Sequence, residues 1–157
     1  MKYEIKLDLK KLNKTLDEIE DSIEQGVEIG LNQVASEMRE NEHDIIDTNI
    51  GGDGSYVRTG RLKSSIDITP ITWSGGIAEI SIAPKKYSDI AFYNELGTGI
   101  YADNGKGRKT PWCYPLGGGE FRFTRGLPPK YFVRDTRKEY NAEKVSVFIE
   151  DNIRRLL

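Results

Sequence analysis

Residues 9–46 read LKKLNKTLDEIEDSIEQGVEIGLNQVASEMRENEHDII, and apolar residues recur among them every three or four positions. Because an α-helix makes one turn in about 3.6 residues, this spacing predicts one long amphipathic helix. Asp8 is in position to cap its first turn. The predicted apolar stripe consists of Leu12, Leu16, Ile19, Ile23, Val27, Leu31, Val34 and Met38.

Two glycines lie inside this predicted helix, Gly26 and Gly30. Each disfavours a helix interior by about 1 kcal/mol relative to Ala. Being four residues apart, they share one face of the helix. One interpretation is that another backbone approaches closely at that face. The other is a kink or a break between two shorter helices, and the spacing leaves both open.

The rest of the chain predicts shorter elements. All six prolines and 14 of the 16 glycines fall between residues 51 and 129, and both residue types interrupt strands and helices. The predicted strands occupy residues 3–9, 66–73, 77–83, 112–114 and 121–124, with a turn at 74–76. The other predicted elements are a helix at 88–96 ended by Gly97, loops at 103–109 and 117–119, and a terminal helix at 131–157.

These elements predict an α+β fold, with a long N-terminal helix and a C-terminal helix packed on a small antiparallel β-sheet with long loops. A chain of 157 residues fits a single domain, 1–157, within which residues 100–126 are predicted to be a flexible loop. Hydrophobic residues make up only 37% of the chain. This fraction is low for a fully buried globule, so part of the surface could become buried only when partners bind.

The residues that usually carry catalysis are scarce. His43 is the only histidine and is interpreted as a lone surface side chain. Cys113, the only cysteine, permits no intramolecular disulfide and is interpreted as a partly buried, inert thiol. The glycine clusters at 51–54 and 117–119 lack the spacing of a phosphate-binding loop. We therefore expect no catalytic residues, no metal site, no cofactor and no enzymatic activity.

Charge is distributed unevenly along the chain. Residues 10–47 hold eleven acids and four bases, whereas residues 104–126 hold five bases and one acid. An acidic helix and a basic loop on one subunit suit head-to-tail contact between copies. The alternative is a solvated helix and a solvated loop.

The basic loop also supports a second functional hypothesis. Its cations alternate with aromatic residues, an arrangement that binds single-stranded nucleic acid by stacking on bases and pairing with phosphates. Against this, the whole chain is acidic, with a pI near 5.6, and shows none of the usual nucleic-acid-binding signatures. The residues concerned are Arg108, Lys109, Trp112, Tyr114, Phe121, Arg122, Phe123 and Arg125.

Three segments occur in an ordered series. Residues 57–66 read VRTGRLKSSI, residues 91–99 read AFYNELGTG, and residues 128–136 read PPKYFVRDT. In order and spacing they resemble the HK97 gp10-like family of phage head–tail joining and tail-completion proteins. The chain departs from the family pattern in a longer, glycine-rich stretch between residues 99 and 128. It also departs at residues 132–136, where the family more often has proline and alanine.

The resemblance implies a structural role in phage morphogenesis, with assembly into rings and no catalysis. The implied partners are copies of the chain itself, portal-side connector proteins and tail-tube proteins, with DNA contact in the channel as a further option. The implied location is the virion, at the head–tail junction or tail end, after synthesis in a bacterial cytoplasm. No segment has the apolar length of a signal peptide or membrane span, so no membrane partner is expected.

The residues of the motifs also have local structural interpretations. Residues 59 and 60 predict a turn into a short helix at 61–65 with Leu62 and Ile66 facing inward. Arg58 or Arg61 is a candidate ion-pair partner for Glu95. Gly60, Gly97 and Thr98 are interpreted as holding the fold. The predicted partner-contact residues are Lys106, Arg108, Lys109, Trp112, Arg122, Arg125, Tyr93 and Glu95.

Overall fold

The structure is a computed structural model that describes residues 8–48, 60–86 and 88–157. The fold is α+β, as predicted. The helices are α1 (Leu9–Thr48), α2 (Arg61–Ser65), α3 (Ser88–Leu96), α4 (Phe132–Glu139) and α5 (Ala142–Leu156), with a 3₁₀ turn at Gly99–Tyr101. The strands are β1 (Ile66–Ile68), β2 (Thr72–Ser74), β3 (Ile77–Glu79), β4 (Ile82–Pro84), β5 (Trp112–Gly117) and β6 (Glu120–Thr124).

Helix α1 is one continuous helix of 40 residues. The Asp8 side chain accepts a hydrogen bond from the Lys11 N–H at 3.1 Å, which confirms the predicted cap. The strand predicted at residues 3–9 lies largely outside the described residues, and Leu9 belongs to α1.

The two glycines of α1 mark the place where α5 crosses it. A Cβ added to Gly26 would lie 2.8 Å from the Ile153 Cα, and one added to Gly30 would lie 2.8 Å from the Ile149 Cα. No side chain fits in that space, so of the two interpretations the close approach is correct and the break is wrong. Since residue numbers rise along α5 as they fall along α1, the two helices run antiparallel.

The C-terminal region forms two helices, so the prediction of a single helix at 131–157 is wrong. Helix α4 ends at Glu139, and Asn141 restarts the chain as the N-cap of α5. The Asn141 side chain accepts a hydrogen bond from the Lys144 N–H at 2.9 Å. An Asn side chain that bonds its own backbone favours a cap over a helix interior.

The first hairpin pairs in two separate parts. Strand β1 pairs with β4 and β2 pairs with β3, around a turn in which Gly75 and Gly76 both have positive φ. The turn was predicted, but the two strands expected at 66–73 and 77–83 are each divided. Pro70 lies at the interruption, and it lacks the N–H that would continue the ladder.

The second hairpin joins β5 and β6 through a turn at Gly118 and Gly119. Both strands were predicted, and β5 continues to Gly117 with an irregularity after Pro115. The strands therefore form three two-stranded antiparallel sheets.

The hydrophobic core lies at the C-terminal end of α1. Ile46 of α1 packs there with the aromatic ring of Phe132, the first residue of α4. As predicted, Leu62 and Ile66 face inward from α2 and its end. Gly60 precedes α2 with φ 68°, a conformation that suits glycine. The residues of the core cluster are Ile46, Leu62, Ile66, Ala91 and Phe132.

Among the described residues, no helix combines the length and apolar character needed to cross a membrane.

Candidate functional site

The N-terminal part of α1 together with its cap, residues 8–25, is exposed along nearly its whole length; we call this segment the arm. Ile153 lies against Gly26 and α5 ends at Leu156, so α5 covers little of α1 before that glycine. The apolar side chains of the arm are therefore bare. We call them the arm stripe: Leu9, Leu12, Leu16, Ile19 and Ile23, which are 39–62% exposed.

The second hairpin carries another bare apolar surface. In an antiparallel pair, residues directly opposite each other point to the same face. Cys113 is opposite Phe123, and Pro115 is opposite Phe121. All four are exposed, with Phe121 at 67% and Phe123 at 77%. We call these four residues the hairpin face.

The opposite face of the same hairpin is half-buried. It carries Trp112 opposite Thr124 and Tyr114 opposite Arg122. The predicted contact residues Trp112 and Arg122 thus point away from the hairpin face. The alternation of side chains along a strand separates Arg122 from its neighbours Phe121 and Phe123, which the sequence analysis grouped into one basic aromatic surface.

Three predicted contact residues, Lys106, Arg108 and Lys109, lie exposed in the loop before β5. The Lys106 N–H donates to the Asn104 side chain at 2.9 Å. The Arg108 Nε donates to the Thr110 hydroxyl at 3.1 Å, and its guanidinium lies 5.7 Å from the centre of the Trp112 ring. That distance allows a cation–π contact. These three cations therefore lie beside the hairpin.

The base of residues 100–126 is tied to the preceding segment by main-chain contacts. The Ile100 N–H donates to the Arg125 carbonyl at 3.0 Å, and Thr98 and Leu127 pair in the same way at 2.8 Å. A Cβ on Gly99 would overlap the Arg125 carbonyl. The predicted flexible loop thus contains a paired hairpin with a tight base. Its folding upon assembly stays a prediction.

The two predicted residues of α3 have different environments. Tyr93 is 52% exposed and meets only the edge of Phe92 among the ring contacts of the described residues, at 6.0 Å between centroids. Glu95 accepts hydrogen bonds from the N–H groups of Val133 and Arg134 at 2.9 and 3.0 Å. It therefore caps the N-terminus of α4 with a negative charge. Arg58, one proposed partner of Glu95, lies outside the described residues.

A carboxylate that the sequence analysis did not single out lies close to this cap. Glu42 is 5% exposed. Burial, and secondarily the charge of Glu95, raises the pKa of Glu42 from 4.5 to about 7. Glu42 lies four residues from Met38 and four from Ile46, which places it on the packed face of α1. This spacing is the sequence feature that could have identified Glu42 as buried.

His43 and Cys113 differ from their predicted environments. His43 is half-buried, and its Nε2 is buried with no hydrogen-bond partner found in the part of the chain that the structure describes. Burial, followed by the nearby charge of Lys63, lowers the pKa of His43. Cys113 is exposed, because strand alternation turns it outward. Within residues 8–48, 60–86 and 88–157, no three His, Cys, Asp or Glu side chains are grouped to hold a metal ion.

No protein-family model, no curated protein and no solved structure gives a significant match to this chain. The resemblance to the HK97 gp10-like family therefore depends on the three sequence motifs alone.

Proposed function

We propose that this chain is a structural protein of phage morphogenesis that joins the head to the tail or completes the tail. It acts by assembling into a homo-oligomeric ring, without catalysis, at the head–tail junction or tail end of the virion. The observation that carries this proposal is that two different apolar surfaces, the arm stripe and the hairpin face, are bare on one small subunit. Bare apolar patches of this kind typically mark protein interaction sites.

A ring requires heterologous contacts, in which one surface of a subunit meets a different surface of the next. The arm beyond its three lysines, Lys10, Lys11 and Lys14, and the second hairpin with the loop before it supply two such surfaces with opposite charge. From residue 15 to residue 38, α1 holds seven acids and no base, whereas residues 104–126 hold five bases and one acid. The acidic helix and the basic loop are therefore the proposed contact regions. Portal-side and tail-tube proteins are the proposed partners above and below the ring.

The nucleic-acid alternative is less well supported by the geometry. Stacking on bases needs aromatic rings and cations on a common surface. Phe121 and Phe123 project from the face opposite Arg122, and the rings that share the Arg122 face, Trp112 and Tyr114, are half-buried. A filter-binding assay at low and high salt separates the two functions, because phosphate contacts give affinity that falls steeply with salt. We expect the wild-type protein to show no salt-sensitive binding to nucleic acid. Salt-sensitive binding that is lost when Arg108→Ala and Lys109→Ala are combined would instead support the nucleic-acid function.

The decisive test of the function is genetic. The gene is deleted from a phage genome that carries it, and the lysate is viewed by electron microscopy. We expect filled heads and separate tails, or tails with an incomplete upper end, and restoration of joined particles by a plasmid copy. Normal infectious particles in the deletion strain would refute the proposed function. Mass spectrometry of purified wild-type virions should in addition detect this chain.

A further inference from the structure

We propose that the hairpin face of one copy docks on the arm stripe of the next copy, so that the ring contact has an apolar centre and a charged rim. This inference rests on the proposed ring-forming function and names the residues that make the contact. Phe121 and Phe123 are the inserting side chains. The arm stripe, together with the groove beside it, is the receiving surface.

The two surfaces are available to a second copy because neither is covered by the part of the subunit that the structure describes. Phe121 and Phe123 remain 67% and 77% exposed, and Leu16 of the arm stripe remains 54% exposed. If the hairpin of a subunit reached its own arm, both surfaces would be buried. One head-to-tail contact with another copy would cover both at once.

The arm stripe continues an interface that already exists inside the subunit. The face of α1 that packs on α5 at Gly30 and Gly26 extends directly into Ile23, Ile19 and Leu16. Beside this transition lies an open groove of about 610 Å³, formed by α1, the first hairpin and α5. Trp73 and Ile149 border it opposite the stripe. The groove gives an aromatic side chain apolar walls on more than one side, which suits an anchor residue.

Charge favours this pairing over parallel contact between two arms. Acids at residues 17, 18, 20, 21 and 24 flank the C-terminal part of the arm stripe, whereas Lys10, Lys11 and Lys14 flank its N-terminal part, so two arms paired in parallel would bring like charges together. The cations of Lys106, Arg108 and Lys109 lie beside the hairpin and would meet those acids instead. The stripe also spans only two heptads, from Leu9 to Ile23, whereas a coiled coil is indicated by three or four.

The single native cysteine makes the contact directly testable, because Cys113 lies on the hairpin face opposite Phe123. Four of the five stripe positions are replaced in turn, as Leu12→Cys, Leu16→Cys, Ile19→Cys and Ile23→Cys. The purified full-length proteins are oxidised mildly or treated with a short bis-maleimide. Because every subunit then carries both halves of the cross-link, we expect a ladder of dimers, trimers and higher species on non-reducing gels from at least one variant.

Matched controls identify the geometry. Asp21→Cys, on the arm but off the stripe, should give no ladder, and each stripe variant combined with Cys113→Ser should lose its ladder. A dimer that persists in the Leu16→Cys, Cys113→Ser protein would show contact between two arms and overturn the proposal. The wild-type chain, whose single cysteine can link only two copies, should give no dimer, and a cross-linked wild-type dimer would show contact between two hairpins and overturn the proposal as well.

A second variant tests the energetics without cysteine chemistry. Phe121→Ser with Phe123→Ser should weaken self-association by about tenfold or more in sedimentation measurements. Phe92→Ser, which removes another ring that is more than half exposed, should leave association unchanged. This contact would be refuted if microscopy showed rings but no variant gave a ladder, or if the double variant associated as strongly as wild type. Neither result would contradict the proposed function, which the gene deletion tests separately.

Discussion

The two parts of α1 have the same helical period and opposite environments. From Gly26 onward, the apolar face packs against α5, α4 and the core, and Ile46 is only 3% exposed. Before Gly26, the same face is bare, and Ile19 is 39% exposed. The sequence shows one uninterrupted stripe across both parts.

This difference shows that periodicity identifies a face but does not say what covers it. The covering helix α5 comes from a segment more than 100 residues later in the chain, and it ends at Leu156. The packed part of α1 supports the fold, whereas we propose that the arm contacts another copy of the chain.

The largest expected difference comes from the same truncation made in each part. Ile46→Ala removes a buried side chain and leaves a cavity, so it should lower the free energy of unfolding by about 2–5 kcal/mol. Ile19→Ala should change it by no more than about 0.5 kcal/mol, because its side chain is exposed. Urea unfolding of dilute protein measures both. Equal losses from the two variants would mean that the arm belongs to the folded core.

Sequence reasoning succeeded where local chemistry decides the structure. The cap at Asp8, the turn at Gly75 and Gly76 and the end of α3 at Gly97 were all predicted, because each depends on a few neighbouring residues. The break before α5 was missed, since Asn141 is compatible with a helix unless its cap is recognised. The close approach at Gly30 was left open, because only the distant Ile149 distinguishes it from a kink.

The same limit applied to the candidate site. The sequence drew attention to the segment 104–126 through its charge, and the structure places a bare surface there. It did not separate Phe123 from Arg122, because that separation requires knowing that both strands pair in a regular register. The arm was recognised as acidic and helical, but its exposure depends on where α5 ends. Composition alone does not show which of the many acids in the chain are buried, so Glu42 was not distinguished from the others.

A buried acid should distinguish the packed part from the arm as pH changes. The folded state binds the Glu42 proton more tightly than the unfolded state, since its pKa is raised from 4.5 to about 7. Stability contributed by this group is therefore lost as pH rises from about 4.5 to 7. Glu42→Gln removes that loss and should stabilise the protein by up to about 3 kcal/mol at pH 8, and by much less at pH 5.

Thermal or urea unfolding at the two pH values measures this effect as a difference between variant and wild type. His43, whose lowered pKa acts in the opposite direction below about 6.5, is present in both proteins and largely cancels. Glu20→Gln in the arm is the matched control and should change stability by less than about 0.5 kcal/mol. A Glu42→Gln protein that is no more stable at pH 8 than at pH 5, relative to wild type, would contradict the burial of this charge.

Because Gly30 is closely packed, replacing it by alanine should change the free energy of unfolding in the direction opposite to that predicted by helix propensity. In an exposed helix, Gly→Ala is favourable by about 1 kcal/mol. At Gly30 the added methyl group would lie 2.8 Å from the Ile149 backbone, so Gly30→Ala should destabilise the fold by about 1–3 kcal/mol. Gln25→Ala, on the exposed side of the boundary, is the control and should be nearly neutral. Stabilisation by Gly30→Ala would show that α5 does not pack tightly on α1.

The cap at Glu95 tests how firmly α4 holds the packed part of α1. The Glu95 carboxylate satisfies the N–H groups of Val133 and Arg134, and α4 in turn contacts α1 through the Thr136 hydroxyl, which donates to Asn41 at 2.7 Å. Glu95→Ala should cost about 1–2 kcal/mol, as loss of a helix cap does. Tyr93→Ala should cost less than about 0.5 kcal/mol. If Tyr93 were the more sensitive residue, the cap assignment would be wrong.

The smallest effect is expected at the boundary between the two parts of α1. The Trp73 Nε1–H donates to the Glu28 carboxylate at 2.8 Å, which joins the first hairpin to α1 beside the groove. Trp73→Phe should cost only about 0.5–1.5 kcal/mol, because it removes one exposed hydrogen bond. The hairpin that borders the groove should nevertheless move more freely. Cross-linking from Ile23→Cys, next to the groove, should therefore fall more than cross-linking from Leu12→Cys, and an equal fall at both positions would place the receiving surface on the arm alone.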